Sequence, residues 1–179
     1  LLLLSCSLCM SCVQTDKKKA LIDDDFLVAE QHLSNQLKAV PEPTVYPRTI
    51  GKDGKLIATP KNDWTEGFYP GCLWYIYEHN REENWKQSAI KWTEALEPMK
   101  KLTSHHDIGF LIYCSFGNAY RLTGKEEYKD VIIEAANSLT TRFSEVTGCI
   151  KSWNYRKAWN GRDEWFYPVI IDNMMNLEL

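Results

Sequence analysis

Residues 107–122, DIGFLIYCSFGNAYRL, are apolar almost all the way round a helix; residues 125–143, KEEYKDVIIEAANSLTTRF, carry Lys, Glu and Arg along one side. A helix apolar on every face is buried between neighbours, whereas an amphipathic one turns its polar side to water. The two therefore read as a hairpin with one inner and one outer helix. The hairpin has a counterpart earlier in the chain. Tyr77-x7-Trp85 recurs 43 residues on as Tyr120-x7-Tyr128, and each pair brackets a short turn with acidic residues, Glu82-Glu83 and Glu126-Glu127. Helix-period apolar spacing predicts helices over 26–40, closed by Pro41 and Pro43, and over 64–80, 83–101, 107–122 and 125–143. Residues 45–62 and 144–167 read as irregular, with Thr147-Gly148 able to join a short hairpin. A further helix is expected from Pro168, a residue suited to a first helical turn. Repeating hairpins either stack as an open solenoid, as armadillo-type repeats of similar period do, or close into a toroid. Gly109 and Gly117 in the inner helix, with aromatic residues crowded near its ends, favour the toroid. The expected fold class is all-α.

Working outward, the register places Trp64 and Asp107 at equivalent N-terminal ends of inner helices, and Asp172 near the start of the next. All three would then share one rim. Each Asp leads or interrupts an apolar run, and a buried carboxylate must be paired, hydrogen-bonded or protonated. The structural reading of Asp107 is a helix N-cap, which Asp fills well. That reading suits Asp172 less, because Pro168 already marks a helix start. Two neighbouring carboxylates push their pKa values apart, as a general acid and its partner require. His105 and His106 beside Asp107 would donate to a substrate or to the carboxylate pair, or cap a helix. The stretch 153–165, WNYRKAWNGRDEW, mixes aromatic and charged groups too densely for a core, and suits a lip that stacks on sugars and binds carboxylates.

Composition sets the outer bounds. The chain has 179 residues, 44% hydrophobic and 25% charged, values of an ordinary globular protein rather than a disordered tail, collagen or coiled coil. A net charge of −3 leaves no basic footprint for nucleic acid. Seven Trp and nine Tyr are many for this length. Leu1–Met10 is apolar and too short to span a bilayer, as in the core of a secretory signal. Residues 1–12 are expected to be a leader, 13–24 a charged tether, and 25–179 the start of a catalytic domain. The leader resembles a bacterial lipoprotein signal acylated at Cys12, with Cys6 the alternative. This implies export to the periplasm or a membrane-anchored lipoprotein, with no other membrane contact. Cys6, Cys9 and Cys12 recur at metal-like spacing, but no fourth ligand is near and no metal is expected. Cys72, Cys114 and Cys149 are odd in number, so at least one should be a free thiol. The absence of an initial Met and the apolar run at Leu179 suggest a fragment of a longer protein.

The stretches Trp64-Thr65-Glu66-Gly67-Phe68 with Gly71 and Trp74, His106-Asp107-Ile108-Gly109-Phe110, and Ile171-Asp172-Asn173-Met174-Met175-Asn176-Leu177 resemble the unsaturated glucuronyl hydrolases, glycoside hydrolase family 88. The resemblance covers most of the chain after residue 45. It implies an (α/α)6 barrel, of which about half would be present here. It implies hydration of the 4,5-unsaturated glucuronate that lyases leave on oligosaccharides of the glycosaminoglycan type, with no cofactor. Asp172 matches the general acid and base, and Asp107 the second essential carboxylate. Trp64 and Trp153 would stack on sugar and His106 would contact its polar groups. The expected partners are unsaturated uronic-acid oligosaccharides, acted on by a monomer. Two alternatives remain: an unsaturated rhamnogalacturonyl hydrolase of pectin fragments, and a non-catalytic helical glycan-binding lipoprotein.

Overall fold

A computed structural model describes the backbone of residues 2–179 and the side chains of residues 17–179. The chain divides into two compact units, Leu1–Ala39 and Val40–Leu179. The first holds one helix, α1 (Leu2–Ala39). The stretch expected to be a tether is helical, and Lys19 pairs with Asp23 at 2.6 Å, one turn on. The proposed acylation site Cys12 lies outside the residues whose side chains are described. Among the described residues, no helix is long and apolar enough to cross a membrane.

In the second unit, residues 45–62, expected to be irregular, form an antiparallel hairpin of β1 (Tyr46–Ile50) and β2 (Leu56–Thr59). Its register slips between Pro47 and Thr49, because proline cannot donate to the ladder. Tyr46 fastens the hairpin: it is fully buried, donates from its hydroxyl to the Trp92 carbonyl at 2.9 Å, and stands edge-on to that indole at 5.0 Å. One buried aromatic next to a proline does not announce a strand by alternation.

The helical hairpins follow. α2 (Phe68–Asn80) and α3 (Glu83–Glu94) form the first, with a 3-10 turn at Glu97–Lys101 closing it. The second pairs an inner helix with α6 (Glu126–Thr140). The inner helix is built of α4 (Ile108–Ile112), a π-turn at Tyr113–Gly117 and α5 (Asn118–Thr123). The π-turn departs from the unbroken helix expected. At its centre the Ser115 hydroxyl donates back to the Leu111 carbonyl at 2.6 Å, competing with the backbone ladder. The repeat of 43 has an exact structural counterpart in its turns. Arg81 and Gly124 are both left-handed, at φ 60° and 68°, and each donates its N–H to the tyrosine four residues back at 2.8 Å. Trp85 and Tyr128 then turn inward, both buried. α2 begins four residues later than expected. Asp63 Oδ1 accepts from the Thr65 N–H and hydroxyl, which holds Trp64 in a turn ahead of the helix.

Close backbone approach sets the spacing of the inner helices. A Cβ on Gly67 would stand 2.0 Å from the Phe110 carbonyl oxygen, and one on Gly71 2.8 Å from that of Cys114. Of the glycines singled out in the inner helix, Gly109 makes such a contact, against Asn176, while Gly117 meets only the ring of Tyr113 in its own helix. Leu73, Trp74, Ile76, Ile108, Leu111 and Phe116 fill the core between these helices.

The remainder carries short strands. β3 (Phe143–Ser144) and β4 (Cys149–Ile150) form the hairpin expected about Gly148. β5 (Arg156–Lys157) pairs with β6 (Glu164–Trp165). The last helix, α7 (Asn173–Asn176), starts well after Pro168. Residues 168–170 are instead tied to Ser152: its N–H donates to the Pro168 carbonyl at 2.8 Å, and its hydroxyl accepts from Ile170 N–H at 3.1 Å.

Gly109→Ala should test the α4–α7 contact. The added methyl would fall 2.4 Å from the Asn176 carbonyl oxygen and 2.6 Å from its Cα. Denaturant unfolding of the full-length protein is expected to show a loss of about 1–3 kcal/mol.

Candidate functional site

Three irregular segments converge beside α4. His106 N–H donates to the Ser152 carbonyl at 3.0 Å, and His105 forms an isolated antiparallel bridge with Trp153. Ser152 in turn binds the segment leading to Asp172. Arg142 pins the underside: it is buried, its Nε donates to the Lys151 carbonyl at 2.7 Å, and its Nη1 donates to the Thr103 carbonyl and to Asn154 Oδ1. Residues far apart in sequence thus bring Asp107, His106, Trp153 and Asp172 together.

Asp107 stands at the N-cap position of α4 and Asp172 at that of α7, yet neither side chain caps its helix. The amide of Phe110 in the first turn of α4 is bound by Asn176 Oδ1, at 2.9 Å from α7. Asn176 therefore takes over the capping task and leaves the Asp107 carboxylate free. Asp107 is buried, with Oδ2 3.0 Å from His105 Nδ1 and Oδ1 3.4 Å from His106 Nε2. Asp172 Oδ1 lies 3.8 Å from the same His106 Nε2.

His106 is fully buried, and Asn173 decides how its ring is protonated. The Asn173 amide donates from Nδ2 to the Ile150 carbonyl at 2.5 Å, so its Oδ1 is the atom facing His106 Nδ1 at 2.9 Å. An amide oxygen only accepts, so Nδ1 carries the hydrogen. A neutral His106 then presents its Nε2 lone pair to two carboxylates. Three acceptors facing one another repel unless they hold a proton among them. His106 Nε2 and Asp172 Oδ1 are both buried atoms without a hydrogen-bond partner among the described residues. Asp172 is the carboxyl driven toward its protonated form: burial raises its pKa and the charge of Asp107 adds to this, while His106 would oppose it only if positively charged. The ligand atoms of His106, Asp107 and Asp172 lie within 4.8 Å of one another, a set that could also hold a cation.

The two expected sugar-stacking residues are placed differently. Trp153 stands edge-on to His106 at 5.6 Å, directly on the wall of the site. Trp64 is 44% exposed in a cluster with Phe68 and Phe110, each at 6.2 Å, and the Arg48 guanidinium lies 5.0 Å from its ring centroid. Beneath its turn, Thr59 donates to the buried carboxyl of Glu66, whose pKa is pushed up to about 7 chiefly by burial. Sequence reasoning singled out neither Asn173 nor Asn176. Their signal was available, since both interrupt the apolar run that follows Asp172, three residues apart on one helical face.

These helical hairpins, with their acidic pair on one rim, make the Val40–Leu179 unit part of an (α/α)6 barrel. Over about 75% of its length the chain is homologous to unsaturated glucuronyl hydrolases, glycoside hydrolase family 88. It is 43% identical over 136 residues to the unsaturated glucuronyl hydrolase of Formosa agariphila, spanning 75% of this chain and 33% of that protein. A crystal structure of an unsaturated glucuronyl hydrolase specific for heparin superposes with a TM-score of 0.77 at 38% identity, over 87% of this chain and 40% of that one. A Streptococcus agalactiae unsaturated glucuronyl hydrolase mutant complexed with dGlcA-GalNAc6S gives 0.60 at 27% identity, over 68% and 32%. The chain spans about a third of the length of the curated relatives it matches. No family profile matches it.

The tautomer of His106 is measurable by itself. Nitrogen-15 shifts of its ring are expected to show hydrogen on Nδ1 in the full-length protein. Asn173→Ala should give the mixed tautomers of an unrestrained imidazole; an unchanged spectrum would detach Asn173 from this role.

Proposed function

We propose that the protein to which this chain belongs removes 4,5-unsaturated glucuronate from the non-reducing end of lyase-generated glycosaminoglycan fragments. The observation that carries this reading is the convergence of Asp107, His106 and Asp172, where burial and the Asp107 charge drive Asp172 toward protonation. Homology to enzymes of this activity supports it.

The chemistry follows from the enol ether. Asp172 gives its proton to C4, and the C4–C5 π electrons form the new C–H bond. The positive charge left at C5 is shared with the ring oxygen. Asp172, now a carboxylate, takes a proton from water as the water oxygen bonds to C5, which restores the acid. The C5 hemiketal opens by breaking its bond to the ring oxygen, and the hemiacetal left at C1 collapses to release the next sugar. The substrate supplies the electron density, so acid–base groups suffice and no cofactor is invoked. The Asp107 carboxylate raises the pKa of its partner and would stabilise the developing cation. His106 is fully buried beside both carboxylates, and its Nε2 faces each of them. Trp153 offers the stacking face.

The ultraviolet absorbance of the conjugated enol ether reports the reaction directly. The full-length protein is expected to bleach unsaturated chondroitin or heparin disaccharides, and Asp172→Asn to bind them while losing roughly a thousandfold or more in kcat. The acid must be protonated, so turnover should fall as pH rises through the raised Asp172 pKa. Bleaching of rhamnogalacturonan fragments alone would move the activity to pectin, and no bleaching at all would overturn the reading.

We infer also that residues 1–12 act as an export leader, with Cys12 as the acylated N-terminus of a periplasmic or membrane-anchored lipoprotein. The apolar run of residues 1–10 ahead of a polar segment supports this. Mass spectrometry of the mature protein should find a diacylglyceryl Cys12 at its N-terminus; an intact leader would contradict it.

A further inference from the structure

We propose that Arg156 is an oxyanion-recognition group of this site, and that it reads a carboxylate or sulfate on the sugar docked beside Asp107 and Asp172. The proposal rests on the glycosaminoglycan reading above. The Arg156 guanidinium lies 4.5 Å from the centroid of the Trp153 ring and 5.0 Å from that of Trp159. Trp159 is itself braced edge-on by Trp165 at 5.5 Å. Pairing of Arg156 with Trp165 across β5 and β6 fixes the backbone that carries the guanidinium. Trp153 continues the contact to His106, and His106 to both carboxylates. Arg156 therefore stands on the same aromatic wall as the reacting groups, one ring away from the buried histidine.

Its charge has no counterpart among the described residues. The nearby acids of this loop are engaged elsewhere: Glu164 accepts from the Tyr155 hydroxyl at 3.1 Å, and Asp163 from the Asn160 amide at 2.7 Å. Arg156 makes no ion pair and no side-chain hydrogen bond with any described residue. The other two arginines around the site differ. Arg48, over Trp64, already faces Asp63 at 4.0 Å, and Arg142 is buried beneath the site with its Nε and Nη1 bound to the Lys151 and Thr103 carbonyls and Asn154. Stacking holds the faces of a guanidinium while leaving its N–H groups free in the plane. Those groups match an oxyanion in bidentate geometry, and the ordering cost is met before the ligand arrives.

Two oxyanions of the proposed substrate fit: the C6 carboxylate of the unsaturated ring, and a sulfate ester on its neighbour. Kinetics of the full-length protein on unsulfated and sulfated unsaturated chondroitin disaccharides separate them, with Arg156→Ala and Arg156→Lys compared. Arg156→Ala is expected to raise KM roughly tenfold or more with kcat little changed, and Arg156→Lys, which keeps charge without the planar fork, to recover part of it. A rise on both disaccharides assigns the carboxylate, and a rise on the sulfated one alone assigns the sulfate. KM within about twofold of wild type on both, with unchanged thermal unfolding, overturns the proposal alone. A wild-type protein idle on every unsaturated disaccharide removes the functional reading and this proposal with it.

Discussion

The site depends on one hydrogen bond between two helices. Asn176 on α7 accepts from the Phe110 amide in the first turn of α4, at a point where Gly109 lets the two backbones meet. The orphan donors at a helix start are satisfied by the nearest acceptor, and Asp107 would otherwise be that acceptor. With Asn176 in the way, the Asp107 carboxylate turns toward the histidines. The same contact brings α7, and Asp172 at its head, to within reach of His106. Geometry and electrostatics therefore have a common origin: the interaction that holds the helices together also frees the charge.

What the freed charge creates is a shortage of protons. Asn173 commits the hydrogen of a neutral His106 to Nδ1, so its second nitrogen can only compete with the carboxylates for another. His106 and Asp107 are buried, which limits screening on their side, while the Asp172 side chain stays partly exposed. The aromatic wall stands beside these groups. Trp153 meets the histidine edge-on and carries the Arg156 guanidinium over its ring.

Much of the architecture was legible in the residues. The buried–exposed helix pair and the period of 43 follow from local pattern, and the left-handed turns at Arg81 and Gly124 show why the tyrosines recur. The places where reading failed are those where a distant partner overrides local preference. The β1–β2 hairpin is held by Tyr46 on Trp92, a contact across 46 positions. Pro168 does not open a helix because Ser152 captures the backbone around it. Asp63 and Ser115 bend or delay their helices through hydroxyl and carboxylate bonds that compete with the ladder.

For the site, the identity of Asp107, Asp172, His106 and Trp153 as notable residues came from the sequence, because a carboxylate in an apolar run is costly and therefore conspicuous. Their expected roles came from the family resemblance, whereas local pattern alone did not separate them from structural duties. A carboxylate at a helix start looks like a cap whatever it does, and only the position of Asn176 shows that Asp107 is free of that duty. Likewise His106 could be placed on the rim by register, but its complete burial and its bond to Asn173 arise across 67 positions of chain. Local pattern determined which elements form and which side chains are unusual, since period and polarity act between near neighbours. Tertiary structure alone decided which hydrogen bond each polar group takes, since that choice depends on whichever acceptor the folded chain brings nearest.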